Sequence, residues 1–600
     1  MKIFPILSLE NFQKCVKFVK FILNAVFHLG KLYLYFLKGG NTEIMNFKKL
    51  FAASLATAML VGCGTATDAG QPAEGTDTGT ATAEAASGEG KEVVVAFDAD
   101  LSTMDHHIAT DGNSFIMQSM CYSGLTSLTA DGAPIPELAT SWDISDDGLV
   151  YTFHLAEDAT WSNGTPVTAQ DFVYGWQRLD DPDLASEYAF ILDTIHVVNA
   201  AECNACEKPL EELGVKAVDD KTFEVTLTLP CDFLLGLMSF PSFFPLNQEF
   251  FEAQGDQFAL SPDNMIFCGP YNMTGWEQGN SYTFTKRADY FNAANYADAV
   301  DTVVFRFQQD TQSALLDYQS GNIDVVKLQG EQVDMYKDEP GFTNRLTGYL
   351  WYIPVNMTVD KLQNLNLRKA LAYAIDRESI VTNVLKDGSI AAEGEIPVEL
   401  ATGPDGKDFR ESAGKLTEFD AAKAAEYYAA AVEELGGDVE LELLFEDSEA
   451  SKAVAENMQQ MFETNCPGLK VTLNSKPKKT RLELMKTQQY ELGLTRWGPD
   501  YADPQTYMDL FLSTNVSNNQ GRYNSEKYDE LVLKGTTGED ATDSAKRWAD
   551  FVEAERVMVA EDYAVIPVYQ NGGAMMINPD VTNINFHSAS VDDYRNIKKN

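Results

Sequence analysis

The chain has 600 residues, and its 45 Lys and Arg against 90 Asp and Glu give a formal net charge of −45. A polyanion of this size lacks the cationic surface that nucleic acid phosphates require, and anionic lipid headgroups repel it. Because 44% of the residues are hydrophobic and 11% are aromatic, the chain can bury large cores, which excludes a disordered protein. At about 150 residues per domain, its length predicts roughly three or four domains.

The first 62 residues differ in charge from the rest. They hold eight lysines and two acidic residues, so the remainder carries 37 basic and 88 acidic side chains, a net charge of −51. Lys48 and Lys49 precede an apolar run from Leu50 to Val61, which is long enough for a secretory signal and too short to span a bilayer. The run ends in LVGC and resembles a bacterial lipoprotein signal. The resemblance implies that Cys63 is lipidated; the alternative is a cysteine that follows a signal peptide by chance.

The segments on either side of this signal have distinct compositions. Residues 1–44 are apolar but interrupted by lysines, so we interpret them as an upstream extension with Met45 as the natural start; the alternative is a membrane-anchoring extension. Residues 64–90 contain only Gly, Ala, Thr, Asp, Glu, Ser, Gln and Pro. This composition predicts a flexible tether, which together with a lipid anchor would hold the body at the outer face of a cell membrane.

Strands and helices alternate along the body. Alternating apolar residues predict strands at Glu92–Phe97, Tyr151–Leu155, Thr222–Leu229, Tyr282–Lys286, Thr302–Gln308 and Glu440–Phe445. Helical periodicity predicts helices at Thr168–Arg178, Gln312–Gln319, Leu367–Ile375, Ala421–Leu435, Ala450–Phe462 and Trp548–Asp562. Asp147-Gly148 lies between two alternating segments and predicts a β-hairpin turn. The alternation indicates an α/β fold.

Motifs for catalysis are missing from the sequence. It contains no HExxH, GxSxG, GxGxxG or phosphate-binding loop pattern, which favours a binding protein without metal or cofactor over an enzyme. Cys203 and Cys206 form a single CxxC pattern, and a zinc site would need a second one. We therefore expect a local disulfide there. The body contains six cysteines, at Cys121, Cys203, Cys206, Cys231, Cys268 and Cys466.

Four stretches carry a family resemblance. Residues 161–189 read WSNGTPVTAQDFVYGWQRLDDPDLASEYA, residues 367–380 read LRKALAYAIDRESI, residues 497–507 read WGPDYADPQTY, and residues 518–529 read NNQGRYNSEKYD. Together with IPVY at 566–569, they make residues 91–600 resemble the bacterial extracellular solute-binding proteins of family 5, and in particular the oligopeptide-binding proteins of peptide ABC importers.

The resemblance implies a periplasmic-binding-protein-like type II fold, with two lobes around a cleft and an additional domain. We expect lobe I to comprise residues 91–122, 246–348 and 572–600, domain II residues 123–245, and lobe III residues 349–571. The implied function is a lipid-anchored extracytoplasmic receptor, monomeric and without enzymatic activity, that delivers oligopeptides to the permease and ATPase subunits of an ABC importer. The peptide would lie extended between the lobes and pair through its main chain.

The same resemblance implies site residues. Asp500 would receive the α-ammonium of the peptide; the alternative is that it caps the turn before Tyr501. Trp497 would wall a side-chain pocket or belong to the core, and Tyr188 would contact the peptide near its amine. Thr110 and Gly112, in the stretch DHHIATDG, would offer backbone groups, and the paired histidines there fit a turn better than a metal site.

The carboxylate end is less defined, because the basic residues of other family members are not reproduced one for one. Lys486 falls at one such position, whereas Ser451 replaces a histidine at another. The alternatives are a receptor of the same fold for another solute, such as a dipeptide, a nickel chelate or a sugar, and a secreted hydrolase or chaperone-like protein.

Overall fold

The computed structural model of the chain describes residues 91–97 and 99–600. The signal sequence, the lipidated cysteine and the tether predicted from the sequence lie outside these residues. Within them, no helix is both long and apolar enough to cross a bilayer.

A mixed seven-stranded sheet forms the first part of the molecule. In spatial order its strands are Phe342–Thr343, Met575–Ile577, Val325–Lys327, Glu92–Phe97, Thr302–Phe307, Ser281–Lys286 and Tyr271–Glu277. The strand Glu92–Phe97 lies at its centre, parallel to both of its neighbours, and its residues 93–97 are buried. Residues 91–122, 246–348 and 572–600 supply all seven strands.

An antiparallel sheet of four strands lies within residues 123–245. Its order is Ala139–Ile144, Val150–Leu155, Thr222–Thr226 and Val215–Asp219. Gly148, with φ of +71°, takes the left-handed conformation in the turn between the first two strands, so the predicted hairpin is confirmed. Phe153 and Phe223 of this sheet share one hydrophobic core with Phe305 of the seven-stranded sheet. The inserted segment is therefore packed continuously onto the first sheet.

Residues 346–572 form two further sheets. One has the order Ile390–Ala391, Val565–Gly572, Leu346–Pro354 and Thr495–Trp497, and the other, which is parallel, has the order Lys470–Lys476, Glu440–Glu446 and Leu492–Gly493. Two short ribbons pair Thr126–Leu128 with Pro134–Pro136, and Val581–Thr582 with Lys598–Lys599. Two hydrophobic cores hold this region together, one around Ile353 and Leu443 and the other around Tyr507 and Phe551.

Capping residues set the ends of several helices. Asp420 accepts hydrogen bonds from the amides of Ala422 and Lys423, and Gly436, with φ of +81°, ends the helix Ala421–Leu435. The α-helices of residues 91–600 that the structure describes are Gly112–Cys121, Ala169–Asp180, Phe190–Thr194, Ala200–Asn204, Leu234–Leu237, Gln248–Gln254, Thr311–Gln319, Glu331–Tyr336, Leu365–Ala374, Arg377–Ser379, Phe409–Ala413, Ala421–Leu435, Glu449–Asn465, Lys478–Lys486, Gln505–Met508, Glu526–Thr536 and Ser544–Arg556. Short π-helical turns follow at Ile380–Leu385 and Val557–Glu561.

The CxxC pattern does not form a disulfide in this structure. All six cysteines of the described residues are free thiols. Cys203 lies in the short helix Ala200–Asn204 with its thiol buried against the carbonyl of Pro209, at 3.3 Å, whereas Cys206 lies beyond the helix end and is exposed. The expected local disulfide is therefore wrong, because the two thiols occupy different environments.

Candidate functional site

Asp500 and Tyr188 meet although they are 312 residues apart in the sequence. The hydroxyl of Tyr188 donates a hydrogen bond to Oδ1 of Asp500 at 2.9 Å. The Tyr188 ring packs on Phe115 and Phe240 of the first core, with centroids 5.4 and 5.5 Å away. Asp500 follows the strand Thr495–Trp497. The bond therefore joins the first sheet and its inserted segment to the region of residues 349–571, which are the two sides of the cleft that the family resemblance implies.

Further contacts close this cleft on one side. The rings of Phe233 and Tyr501 stack with centroids 4.3 Å apart and an interplanar angle of 7°. Ser544 donates a hydrogen bond through Oγ to Oδ2 of Asp232 at 3.2 Å. The two sides of the cleft are thus in contact beside Asp500.

The carboxyl group of Asp500 is buried without a cation. Its residue is only 7% exposed, and Tyr188 supplies the one side-chain hydrogen bond to it within the described chain. Burial disfavours the charged form and raises the pKa of Asp500 to about 7, while the hydrogen bond from Tyr188 opposes this shift. A cationic ligand group that brings its own hydrogen-bond donors would stabilise the ionised form of this buried carboxyl through charge-assisted hydrogen bonds.

Packing around the loop that follows the strand Thr495–Trp497 fixes the position of Asp500. Tyr507 donates through its hydroxyl to the carbonyls of Gly348, at 2.6 Å, and Trp497, at 3.1 Å. A Cβ atom on Gly498 would come within 2.2 Å of the Tyr349 ring, so only glycine fits there without displacing that ring. The loop is held by these contacts before any ligand binds, which is the preorganisation that a specific binding site needs.

The location of Trp497 is compatible with both interpretations of it, as the wall of a side-chain pocket and as a core residue. It is half-buried and packs against the core around Tyr507 and Phe551, and its Nε1 lies 3.5 Å from Oγ1 of Thr506. Its backbone pairs with Leu350. The residue therefore has one face on the core and retains some exposed surface next to Asp500. Its contribution to a side-chain pocket stays a prediction.

Thr110 and Gly112 lie where a helix begins. Thr110 is exposed, and Gly112 is the first residue of the helix Gly112–Cys121, which Asp111 caps through the amide of Ser114. A Cβ atom on Gly112 would lie 3.3 Å from the hydroxyl of Tyr349. Tyr349 thus contacts both the start of this helix and Gly498 in the loop of Asp500. No sequence pattern indicated Tyr349, because its position beside this loop depends on the pairing of the distant strands Leu346–Pro354 and Thr495–Trp497.

Lys486 lies apart from this group. It is exposed in the last turn of the helix Lys478–Lys486, and no described contact connects it with Asp500, Tyr188 or Tyr349. The helix is nine residues long, so Lys486 lies about 12 Å along the helix axis from Lys478 at its other end. The structure thus brings together Asp500, Tyr188 and the start of the helix at Gly112, whereas Lys486 stays a prediction.

The histidine pair lies in a buried polar cluster. The His106 and His107 rings are 4.3 Å apart and fully buried. Nδ1 of His107 lies 3.0 Å from the guanidinium of Arg178, and that guanidinium makes two hydrogen bonds of 2.7 and 2.8 Å to the carboxylate of Asp105. Burial lowers the pKa of His106 to about 4. The stretch before Thr110 is therefore anchored from within by an ion pair and a neutral histidine pair.

The raised pKa of Asp500 predicts a pH-dependent stability. Between about pH 4 and pH 7 the unliganded native state holds a proton on Asp500 that the unfolded chain has released, so this group destabilises the native state progressively as pH rises to about 7. We expect Asp500→Asn to raise the free energy of unfolding at pH 8 by about 1–3 kcal/mol, and to have little effect near pH 4. Urea unfolding at both pH values measures this, and a variant less stable than the wild type at pH 8 would contradict it.

The chain is similar to a known protein family and to several characterised proteins. Residues 133–519 match the family described as bacterial extracellular solute-binding proteins, family 5, middle part. A dipeptide-binding protein of Lactococcus lactis is 31% identical over 84% of this chain and 93% of its own length. The periplasmic oligopeptide-binding protein OppA of Salmonella typhimurium is 31% identical over 76% of this chain and 83% of its own.

Solved structures agree with these matches. The substrate-binding domain of an oligopeptide ABC transporter from Bacillus anthracis has a TM-score of 0.77 and 36% identity, over 85% of this chain and 98% of that one. Listeria monocytogenes OppA bound to peptide has a TM-score of 0.76 and 31% identity, over 85% and 99%. The predicted two-lobed type II α/β fold is therefore confirmed.

Proposed function

Because the chain belongs to the bacterial extracellular solute-binding proteins of family 5, we propose that it is a receptor that binds peptides outside the cell and delivers them to an ABC importer. Relatives named as dipeptide- and oligopeptide-binding proteins support this proposal, as does the similarity to an OppA structure bound to peptide.

One observation carries the peptide assignment. Asp500 is a buried carboxyl group in the cleft, it has a hydrogen bond from Tyr188 and no cationic partner, and it follows Trp497 in the loop of the family motif. The α-ammonium of a peptide supplies one positive charge and three N–H donors, which match the free acceptor positions of a carboxylate. Asp500 would therefore hold the amino terminus of the ligand, with Tyr188 orienting the carboxylate.

Binding and closure would be coupled. The hydrogen bond between Tyr188 and Asp500 joins the two sides of the cleft, so an ammonium bound at Asp500 stabilises the closed arrangement in which that carboxylate is desolvated. A ligand amine would also release the proton that Asp500 holds at neutral pH. The receptor performs no covalent step in this account, since the residues of the cleft act only through hydrogen bonds and charge.

The attachment of the receptor to the cell is part of the proposal. Cys63 would carry the lipid, and residues 64–90 would connect it to a body whose acidic charge keeps it in solution beside the anionic membrane surface. We expect Cys63→Ala, expressed in a bacterial host, to move the protein from the membrane fraction to the soluble fraction. A wild-type protein that is already soluble after secretion would contradict the anchor.

Calorimetric titration tests the ligand class. We expect unmodified tri- to pentapeptides to bind with micromolar or tighter affinity, and nickel chelates and sugars to give no heat. Peptides should be recovered intact after overnight incubation, because no hydrolysis is expected. Binding of a nickel chelate or a sugar in preference to every peptide would favour another solute receptor, and cleavage of the peptides would favour a hydrolase.

A further inference from the structure

The side chain of Ser186 connects two segments that border the amine site. Its hydroxyl donates a hydrogen bond to the carbonyl oxygen of His107 at 2.6 Å, and its Oγ accepts one from the backbone amide of Tyr188 at 3.1 Å. A serine hydroxyl has one donor and two acceptor positions, so both bonds form at the same time. Ser186 therefore ties the backbone of Tyr188 to that of a residue 79 positions earlier in the chain.

The carbonyl of His107 is a firmly held acceptor. The His107 amide donates to Oδ1 of Asp105 at 3.1 Å, and Asp105 in turn receives the two hydrogen bonds of Arg178. The His107 ring is fully buried, and its Cε1 lies 3.4 Å from the place that a Cβ atom on Gly175 would take. Because this acceptor is fixed on several sides, it determines where Ser186 lies.

The backbone immediately before Ser186 is strained. Ala185 has φ of +52°, in the left-handed region where the Cβ atom of an L-residue lies too close to the following carbonyl oxygen. Strain of this kind persists only where the surrounding contacts impose it, and it is concentrated at functional sites. The two hydrogen bonds of the next residue, Ser186, are contacts of this kind, and one of them leads directly to Tyr188.

Ring packing alone does not place the Tyr188 hydroxyl. The Tyr188 ring lies between Phe115 and Phe240, but aromatic pairs of this kind tolerate centroid distances from about 4.5 to 7 Å. The hydrogen bond to Asp500 is far more demanding, since an O–H···O contact requires about 2.5–3.0 Å between the oxygens. A bond that fixes the backbone of Tyr188, such as the one to Ser186, supplies the missing constraint.

We propose that Ser186 is a positioning residue of the amine site, which holds Tyr188 so that its hydroxyl stays bonded to Asp500. The inference rests on the proposed peptide-binding function and deepens it. Ser186 itself makes no contact with the ligand in this account and acts only through Tyr188. Because the turn of His107 also leads to Thr110, one anchor places both of the segments that border the amine end of the cleft.

Single and double variants test whether Ser186 acts through Tyr188. Ser186→Ala removes the hydroxyl, Ser186→Thr keeps it, and Ser186→Ala is also combined with Tyr188→Phe. Ser320→Ala is the matched control, because the exposed Ser320 at a helix end also donates through its hydroxyl to a backbone carbonyl, that of Leu316, at 2.8 Å. Calorimetric titration with trialanine and N-acetyl-trialanine gives the affinities, and thermal unfolding checks that each variant is folded.

We expect Ser186→Ala to weaken the binding of trialanine by about three- to fivefold, close to the effect of losing one hydrogen bond. The affinity for N-acetyl-trialanine should change by less than about twofold, and Ser186→Thr and Ser320→Ala should stay within about twofold of the wild type for both peptides. In the Tyr188→Phe background, Ser186→Ala should have no further effect, because the hydroxyl that it positions is absent.

The pH profile of trialanine binding provides a readout that a merely structural role would not move. The hydrogen bond from Tyr188 opposes the rise that burial causes in the pKa of Asp500. Once Ser186→Ala weakens that bond, the pKa of Asp500 should rise further, and the acidic limb of the affinity profile should move to higher pH by about half a unit. Tyr188→Phe should move the limb by at least as much, whereas Ser320→Ala should leave it in place.

Three results would overturn the positioning role and leave the peptide receptor intact. Ser186→Ala could leave the trialanine affinity and the acidic limb unchanged, it could weaken both peptides equally, or it could add its full effect to that of Tyr188→Phe. If Ser186→Ala does not fold, Ser186→Cys, which has a similar size and a weaker donor, replaces it in every comparison. If the wild type binds none of the tri- to pentapeptides, the proposed function itself fails.

Discussion

Asp500→Ala should reduce the affinity for peptides with a free amino terminus by at least about 30-fold. The carboxyl group is buried, has no cationic partner within the described chain, and accepts a hydrogen bond from Tyr188. Removing it leaves the peptide ammonium desolvated without a counterion, which costs about 2–5 kcal/mol in comparable buried charge pairs. The affinity for the same peptides with an acetylated amine should change by less than threefold, because they bring no positive charge. Calorimetry with both peptide forms measures the difference.

Two variants serve as controls for this result. Asp298→Ala removes a carboxylate that is 80% exposed and bonded to Lys598, and it should leave both affinities unchanged. Tyr188→Phe removes only the hydrogen bond to the carboxylate and should weaken free-amine peptides by about fivefold. If Asp500→Ala weakens acetylated and free peptides equally, the residue supports the fold of the loop and does not hold the amine.

The affinity of free-amine peptides should also depend on pH. Below about pH 7 a peptide must displace the proton on Asp500, so the affinity should fall as pH decreases from 7. Above about pH 8 the α-amine of the peptide loses its charge, and the affinity should fall again. The maximum therefore lies between these values, and Asp500→Asn, which cannot ionise, should lose the acidic side of the profile.

Arg178→Ala should lower the free energy of unfolding by about 3–5 kcal/mol. The Arg178 guanidinium makes two hydrogen bonds to Asp105, and the two side chains are only 11% and 9% exposed. It also contacts the His107 ring and lies over the face of Phe251, with 4.5 Å to the centroid. Truncation leaves the Asp105 carboxylate buried without a partner, and this is the costly way to break a buried ion pair. Urea unfolding with both circular dichroism and tryptophan fluorescence gives the midpoint and slope.

An exposed ion pair provides the matched comparison. Lys216 lies 2.6 Å from Glu224 with 63% of its side chain exposed, so Lys216→Ala should cost less than about 1 kcal/mol. The double variant Arg178→Met with Asp105→Asn should recover part of the loss, because no unpaired charge remains. A loss below 1 kcal/mol in Arg178→Ala would show that solvent reaches Asp105 and that the stretch before Thr110 is not anchored by this pair.

Local chemistry made several elements predictable. The helix Ala421–Leu435 matches its prediction at both ends, because Asp420 and Gly436 set those ends within the sequence itself. The helix Ala169–Asp180 likewise begins after Thr168, which forms a capping box with Asp171. The last long helix begins at Ser544, four residues before its predicted start, because the N-cap is Asp543 and the apolar periodicity begins only at Trp548.

Contacts between distant residues could not be predicted in this way. The helix Gly112–Cys121 was not predicted, because most of its residues are buried and no polar face marks its period. The family motifs predict Asp500 and Tyr188 separately as ligand contacts, but nothing in either motif indicates that they share a hydrogen bond. No sequence pattern indicated Tyr349, since its contact with Gly498 follows from strand pairing between residues almost 150 positions apart.

Native mass spectrometry of the protein purified from its own cells tests the central claim most directly. If the cleft is a peptide site closed over Asp500, the intact protein should carry a heterogeneous set of masses that disappears on denaturation. Sequencing of the released material should then yield short peptides with free amino termini. A single homogeneous non-peptide ligand, or released peptides that are mostly blocked at the amine, would contradict the account.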